Sequence, residues 1–177
     1  MPNSKRLTQF IFCPLCGSRF TTKKIGGRAR LWCTACGFVF YQNAKPAASA
    51  LIIREGKVLL VKRAVDPQKG WWDVPGGFVE EDEDPESGMK RELREELGVG
   101  VARQKLLGIF PDIYYSNIGP TAKVFNVYYL VELKKGRFKP ADDITAAKWF
   151  PLHRPPTRIA FQHIRKALRA WGTVKFA

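Results

Sequence analysis

Two sets of residues in this 177-residue sequence have the types and spacing that chemistry needs. The first is sulfur. Cys13-Pro-Leu-Cys16 and Cys33-Thr-Ala-Cys36 stand sixteen residues apart and hold all four cysteines of the chain. A CxxC turn aims two sulfurs at one point. Two such turns supply the tetrahedral thiolate set that zinc favours, at about 2.3 Å per bond. All four ligands would be protein, so such a zinc is structural, with no open position for a substrate. Two disulfides are the competing reading, and they need an oxidising compartment. The second set is acidic. Between Glu80 and Glu96 lie nine acids and three cations, in a chain of formal net charge +14. On a helix Glu92 and Glu96 share a face at i, i+4, and Glu95 lies three positions from Glu92. Such like-charge pairs repel by a few tenths of a kcal/mol, roughly 0.2–0.5 each. Hard divalent cations such as Mg²⁺ take carboxylate oxygens placed this way. A solvated charged helix is the plain alternative.

These groups need elements to hold them. Pro75-Gly76-Gly77 breaks the chain before the acidic segment. Asp84 is a good N-cap, Pro85 suits the first helical position, and Gly98 is placed for the left-handed residue that ends a helix. The spacing predicts a helix over 85–97, with Met89, Leu93 and Leu97 as its buried stripe. Arg91, one turn before Glu95, can orient that carboxylate. Glu83, in the entering loop, can hold Arg91 or a metal-bound water. Upstream, 47–53 and 57–62 read as a strand pair turning at Glu55-Gly56. Downstream, 106–110 and 123–133 read as strands, 111–120 as a loop bearing Tyr114 and Tyr115, and 159–171 as an amphipathic helix. The cysteine segment can return as a hairpin about Gly26-Gly27, and 41–46 reads as a short linker. A zinc ribbon at 1–42 and an α/β domain at 43–177 are the expected units.

Apolar residues make up 45% of the chain and charged residues 26%, which suits a buried core and excludes a disordered tail. No apolar run approaches the ~20 residues that a membrane span needs. No long apolar segment follows the N-terminal cations, so a cytoplasmic protein with no membrane partner is expected. Charge divides unevenly: nine cations precede the first acid, Glu55. With Phe10, Phe12, Phe20, Trp32, Phe38, Phe40 and Tyr41 these cations can form a nucleic-acid surface. Equally, the aromatics can pack the ribbon while the cations are solvated.

Residues 77–99 resemble the Nudix box, Gly-x5-Glu-x7-Arg-Glu-U-x-Glu-Glu-x-Gly-U, where U is bulky aliphatic. Gly77, Glu83, Arg91, Glu92, Leu93, Glu95, Glu96, Gly98 and Val99 fill every defined position. The flanking pattern extends the resemblance to about 47–171. The resemblance implies a hydrolase that cuts nucleoside-linked diphosphates, built as an α/β/α sandwich around a mixed sheet, with the box as a loop–helix–loop. It implies that Glu92, Glu95, Glu96 and the main-chain carbonyl of Gly76 hold Mg²⁺ (or Mn²⁺), with Glu83 and Arg91 supporting them. For the general base two candidates stand, Glu95 and the Asp142-Asp143 pair. Arg54 or Arg63 can take a distal phosphate. Tyr114 and Tyr115 can stack on a base or equally serve a surface or core role, and Trp71 and Trp72 can line the pocket or pack the sheet. His153 and His163 lack ligand spacing and receive no role.

A zinc ribbon before such a box resembles the NADH pyrophosphatase branch of the family. That branch also carries Ser-Gln-Pro-Trp-Pro-Phe-Pro-x-Ser after the box, whereas this sequence has Asp112-Ile-Tyr-Tyr-Ser-Asn in the equivalent region. ADP-ribose or another ADP-linked small molecule therefore stands beside NADH as the expected substrate. The other readings are an RNA 5′-end pyrophosphohydrolase whose ribbon grips the chain, and a non-enzymatic binding module. The partners expected are a small nucleotide, RNA along the basic ribbon, and a second copy of the chain in a homodimer.

Overall fold

The structure, a computed structural model, describes residues 10–115 and 122–173. The chain folds as two compact units, Met1–Asn43 and Ala44–Ala177. In the first, β1 (Thr21–Ile25) and β2 (Arg28–Trp32) pair antiparallel about Gly26-Gly27, and β3 (Val39–Phe40) adds to β2. Each CxxC turn closes by a hydrogen bond from the following glycine, Gly17 N–H to the Cys13 carbonyl and Gly37 N–H to that of Cys33, both 2.9 Å. The aromatics pack on one another, with the Phe10 and Phe40 rings 4.6 Å apart and Phe20 6.3 Å from both Phe38 and Phe40. Among the described residues only Cys13, Leu31 and Cys33 are buried apolar groups in this unit. That is too small a core to hold forty residues by itself.

The second unit is built on two sheets. The mixed sheet runs β8 (Gly76–Phe78), β4 (Lys45–Leu51), β10 (Ala122–Leu133), β9 (Val101–Tyr114), with β4 and β10 parallel and the outer pairs antiparallel. The second runs β11 (Ile144–Pro151), β6 (Lys57–Arg63), β5 (Ile53–Arg54), with β7 (Trp72–Asp73) also on β6. Helix α1 (Pro85–Leu97) packs on β4 and β8, and α2 (Gln162–Ala170) on β9. The two helices define two cores. Ala48, Ala50, Leu59 and Val61 meet Met89, Leu93 and Leu97 of α1. Leu51, Val58, Leu60 and Tyr128 meet Ile164 and Ala167 of α2. Successive strand residues point to opposite faces. β4 and β6 are therefore apolar almost throughout, because both of their faces are buried. This is the α/β/α sandwich with a mixed sheet. Among the described residues no helix is long and apolar enough to cross a membrane.

The structure moves several expected boundaries. Pro111–Tyr114 continues β9 rather than opening a loop. β9 lies at a sheet edge, where proline's missing N–H costs little. The remainder of that expected loop, 116–120, lies outside the described residues. The linker ends early, since β4 starts at Lys45. The last helix starts at Gln162 rather than 159, because Ile159 forms a parallel bridge to Trp72. Trp72 itself packs edge-on to Phe150, 4.7 Å between ring centroids, beside the α2 core.

Candidate active site and metal centres

Helix α1 carries the acidic side chains, and its ends are fixed locally. The Asp84 carboxylate accepts from Ser87 N–H at 2.8 Å, Pro85 opens the first turn, and Gly98 closes the last in the left-handed conformation. Met89, Leu93 and Leu97 are fully buried and set the helix's rotation. That rotation leaves Glu95 half-exposed and carries Glu96 to the sheet side, where it is 3% exposed. Glu96 Oε2 accepts a hydrogen bond from Gly76 N–H at 3.0 Å. Glycine is required here. Gly76 has φ 140°, and a Cβ on it would lie 2.2 Å from the Ala48 carbonyl oxygen, while one on Gly77 would lie 2.3 Å from Glu92 Oε1.

Arg91 organises the other acids. Its Nη1 donates to Glu92 Oε1 at 2.9 Å and to Glu95 Oε2 at 2.8 Å. Nη2 and Nε fork onto Glu83 at 2.7 and 3.2 Å, and Nη2 also reaches the Phe78 carbonyl at 3.1 Å. Hydrogen bonds from Arg91 hold the Glu83 carboxyl below its ordinary range. Burial pushes Glu92 up, against the pull of Arg91. Glu96 fares differently. Burial, then the neighbouring Asp143, Glu92 and Asp73, push its carboxyl up to about 10, against the Gly76 N–H. Among the described residues no ion pair reaches it. A buried carboxylate crowded by other acids and without a cation fits a divalent metal, which takes hard oxygen donors and relieves that charge. Of the three box glutamates, Glu92 and Glu95 share Arg91, and Glu96 rests on Gly76. Among the described residues only the cysteines gather three or more ligand atoms within 4.8 Å of one another.

A cavity of about 400 Å³ opens beside this helix, with Gly76, Phe78 and Glu92 on its lining. That volume is within the ~300–1,000 Å³ range of small-molecule sites. The segment after β10 brings two more acids to it. Lys139 N–H donates to the Leu97 carbonyl at 2.9 Å and Ala141 N–H to that of Glu96 at 3.0 Å. The segment thereby satisfies the free carbonyls at the end of α1 and delivers Asp142 and Asp143 to the cavity. Asp73, 8% exposed, lines it too, held by Arg63 Nη1 at 2.9 Å and by Val74 N–H at 2.8 Å. Burial pushes Asp73 up to about 6, against the pull of Arg63.

Aromatic rings line the cavity as well. Tyr114 lies 5.5 Å from Phe78 and 5.9 Å from Phe161, and Phe161 stacks on His163 at 5.4 Å and 14°. His163 is 7% exposed. Its backbone N–H donates to Asp112 Oδ2 at 2.9 Å, and its Nδ1 lies 2.6 Å from the Tyr128 hydroxyl. Burial pushes its imidazole down to about 4.

In the first unit the four cysteines are free thiols with every sulfur within 4.8 Å of the others. Cys13 and Cys36 Sγ are 3.7 Å apart, and Cys16 and Cys33 Sγ 3.4 Å. A tetrahedron with 2.3 Å zinc–sulfur bonds has edges of about 3.8 Å, so these sulfurs fit that ion.

The NUDIX domain model matches residues 43–171, and the Nudix N-terminal zinc-ribbon model matches residues 12–42. The chain belongs to the Nudix family. It is similar to the ADP-ribose pyrophosphatase of Methanocaldococcus jannaschii, 32% identical over 123 residues that cover 70% of each chain. It is also similar to the NAD-capped RNA hydrolase NudC of Stutzerimonas stutzeri, 30% identical over 164 residues, 92% of this chain and 55% of that one. The chain spans about half the length of the NAD-capped RNA hydrolases it matches. A crystal structure of a NUDIX hydrolase from Nitrosomonas europaea superposes with a TM-score of 0.65 at 26% identity, covering 95% of this chain and 96% of that one. The Nudix chemistry is hydrolysis of phosphoric anhydrides with divalent metal.

Within this Nudix domain the structure brings some expected residues together and not others. Glu83, Arg91, Glu92 and Glu95 form one bonded group, and Glu96 joins Gly76. Glu92 lines the cavity with Asp142 and Asp143, and Tyr114 lines its aromatic side. Arg54 does not join them. It sits at the β5–β6 turn, three-quarters exposed and paired with Glu55, beside a separate hollow with Lys134 and Lys135. Arg63 lines the cavity instead. Tyr115 is 63% exposed just beyond β9, off the cavity lining. Asp73, Asp112, Phe161 and His163 are cavity residues that spacing did not reveal. Asp112 and His163 are 51 positions apart, and no local pattern links them.

Proposed function

We propose that this protein is a Mg²⁺-dependent pyrophosphohydrolase that cleaves the diphosphate of an ADP-linked small molecule, ADP-ribose first among them. One observation carries the reading: a buried carboxylate, Glu96, stands against Glu92 and Asp143 beside a cavity of nucleotide size. In this reading Glu92, Glu95, Glu96 and the Gly76 carbonyl hold the metal. When bound, it neutralises the diphosphate oxygens and lowers the pKa of an attacking water. Arg91 aims Glu92 and Glu95 and keeps Glu83 ionised. Asp143 is favoured over Glu95 as proton acceptor, because it lines the cavity while Glu95 is committed to Arg91. The relative acting on ADP-ribose supports the substrate class. The test is a panel of ADP-ribose, NADH, FAD, diadenosine polyphosphates and nucleoside triphosphates with Mg²⁺. ADP-ribose should give the highest kcat/KM and yield AMP. No hydrolysis of any diphosphate in the panel sinks the reading.

A second reading extends the substrate to the 5′ end of RNA. The ribbon favours it: Lys23 lies 4.2 Å over the Trp32 ring, Arg30 lies 4.4 Å over the Tyr41 ring, and Lys23 and Arg30 face each other across β1 and β2. Like charges paired across strands are costly without an anion. The NAD-capped RNA hydrolases among the relatives point the same way. RNA binding that weakens steeply with salt supports it; binding indifferent to salt does not.

A further inference from the structure

His163 is among the buried cavity residues that the hydrolysis described above leaves unused. Its backbone is pinned by the bond from its N–H to Asp112 Oδ2 at 2.9 Å. Its ring is pinned by Tyr128, which is fully buried and places its hydroxyl 2.6 Å from Nδ1. Were Nδ1 to carry the proton, the fully buried phenol proton would have no acceptor among the described residues, so the phenol donates and Nδ1 accepts. The imidazole proton therefore sits on Nε2. Among the described residues Nε2 has no hydrogen-bond partner, and the residue lines the cavity. Burial keeps the ring neutral down to about pH 4. The cavity wall thus includes one uncharged imidazole, held on its Nδ1 side by Tyr128.

The surroundings narrow what that imidazole can meet. Phe161 stacks on the His163 ring, and Tyr114 stands 5.9 Å beyond Phe161, giving a wall of flat rings. The charges nearest His163 are of both signs, Asp112 and then Lys166, and Arg63 lies 5.1 Å from the Phe161 ring centroid, so the rings and the neutral imidazole set the character of this end. A flat, uncharged ring with an acceptor on its edge suits both features.

We propose that His163 is a specificity-determining residue: its Nε2–H donates to an acceptor on the nucleobase of the substrate, while Phe161 and Tyr114 take the face of that base. The proposal rests on the nucleotide-hydrolase reading and names the subsite for the base.

The test uses the full chain and two probes, AMP and ribose 5-phosphate, with affinities read by calorimetry. His163→Ala should weaken AMP about tenfold, the size of one neutral hydrogen bond, and leave ribose 5-phosphate unchanged. Equal affinity of the variant and the parent for AMP, or equal loss for both probes, overturns the proposal. Should the alanine variant fail to fold, Tyr128→Phe keeps the ring packing and removes only the proton given to Nδ1. A several-fold loss for AMP alone is then expected, and no loss overturns the proposal. The chain has two histidines, so ¹⁵N-histidine spectra resolve the buried ring. A proton on Nε2 is expected, and one on Nδ1 overturns the assignment. Turnover of ADP-ribose is measured in parallel. A parent chain that seats AMP through His163 but hydrolyses nothing refutes the hydrolase reading alone. One that hydrolyses ADP-ribose while His163→Ala binds AMP normally refutes the base subsite alone.

Discussion

Glu96 and Gly76 are joined by a single hydrogen bond of 3.0 Å that ties the last turn of α1 to β8. The acid is almost fully buried, and its ionised form is disfavoured by burial and by Asp143. Glu96→Gln keeps an oxygen for the Gly76 N–H and removes the charge. Its melting temperature should equal or exceed that of the parent, while Mg²⁺-dependent hydrolysis falls about 100-fold or more. Parallel melts and rates check this, and a fully active variant removes Glu96 from the metal set.

Arg91→Lys keeps the charge but loses the fork. One ammonium cannot meet Glu83, Glu92, Glu95 and the Phe78 carbonyl together, as the guanidinium does. Turnover should fall about 10–100-fold, with a higher Mg²⁺ requirement, while the two cores are untouched. A Mg²⁺ titration of rate in both proteins reads the effect.

His163 sets a pH signature. Burial lowers its pKa from 6.5 to about 4, so between these values the unfolded chain binds a proton that the folded chain refuses. Its contribution to stability is complete above pH 6.5 and is lost as pH falls toward 4, by up to about 3 kcal/mol. Asp73, raised to about 6 by burial, acts with the opposite sign over pH 4–6 and masks part of the effect in the parent. The difference between parent and His163→Gln removes the masking. It should move in favour of the variant by about 3 kcal/mol between pH 7 and pH 4 in urea melts.

Among the described residues of the ribbon, Cys13, Leu31 and Cys33 are the buried apolar ones, so its folding depends on what the sulfurs hold. About one zinc per chain is expected by mass spectrometry or atomic absorption. Cys33→Ser should lose the metal together with the β1–β3 amide protection seen by hydrogen exchange. Retained protection without metal counts against a metal-built core.

The box helix was legible because its instructions are local. Asp84, Pro85 and Gly98 set the ends, and Met89, Leu93 and Leu97 set the buried face, all within fifteen residues. β4 and β6 were legible for a related reason, since burial on both faces leaves a continuous apolar run. The far side of the cavity was not. Asp112 reaches it from the edge strand β9 and His163 from α2, and they meet only through tertiary packing. Arg54 and Arg63 look alike in sequence, yet one lies at a solvent-facing turn and the other is paired with Asp73 inside. Pro111 reads as a loop opener, yet the free edge of the sheet accommodates it.

β4 serves two neighbourhoods at once. Ala48 and Ala50 face α1, Ala47 and Ser49 face the cavity, and the Ala48 carbonyl leaves no room for a side chain at Gly76. A substitution there is judged by helix packing, by glutamate placement and by ligand fit together, and few changes satisfy all three. The cavity is therefore more readily reshaped through the surrounding segments, such as the one bearing Phe161, than through this strand.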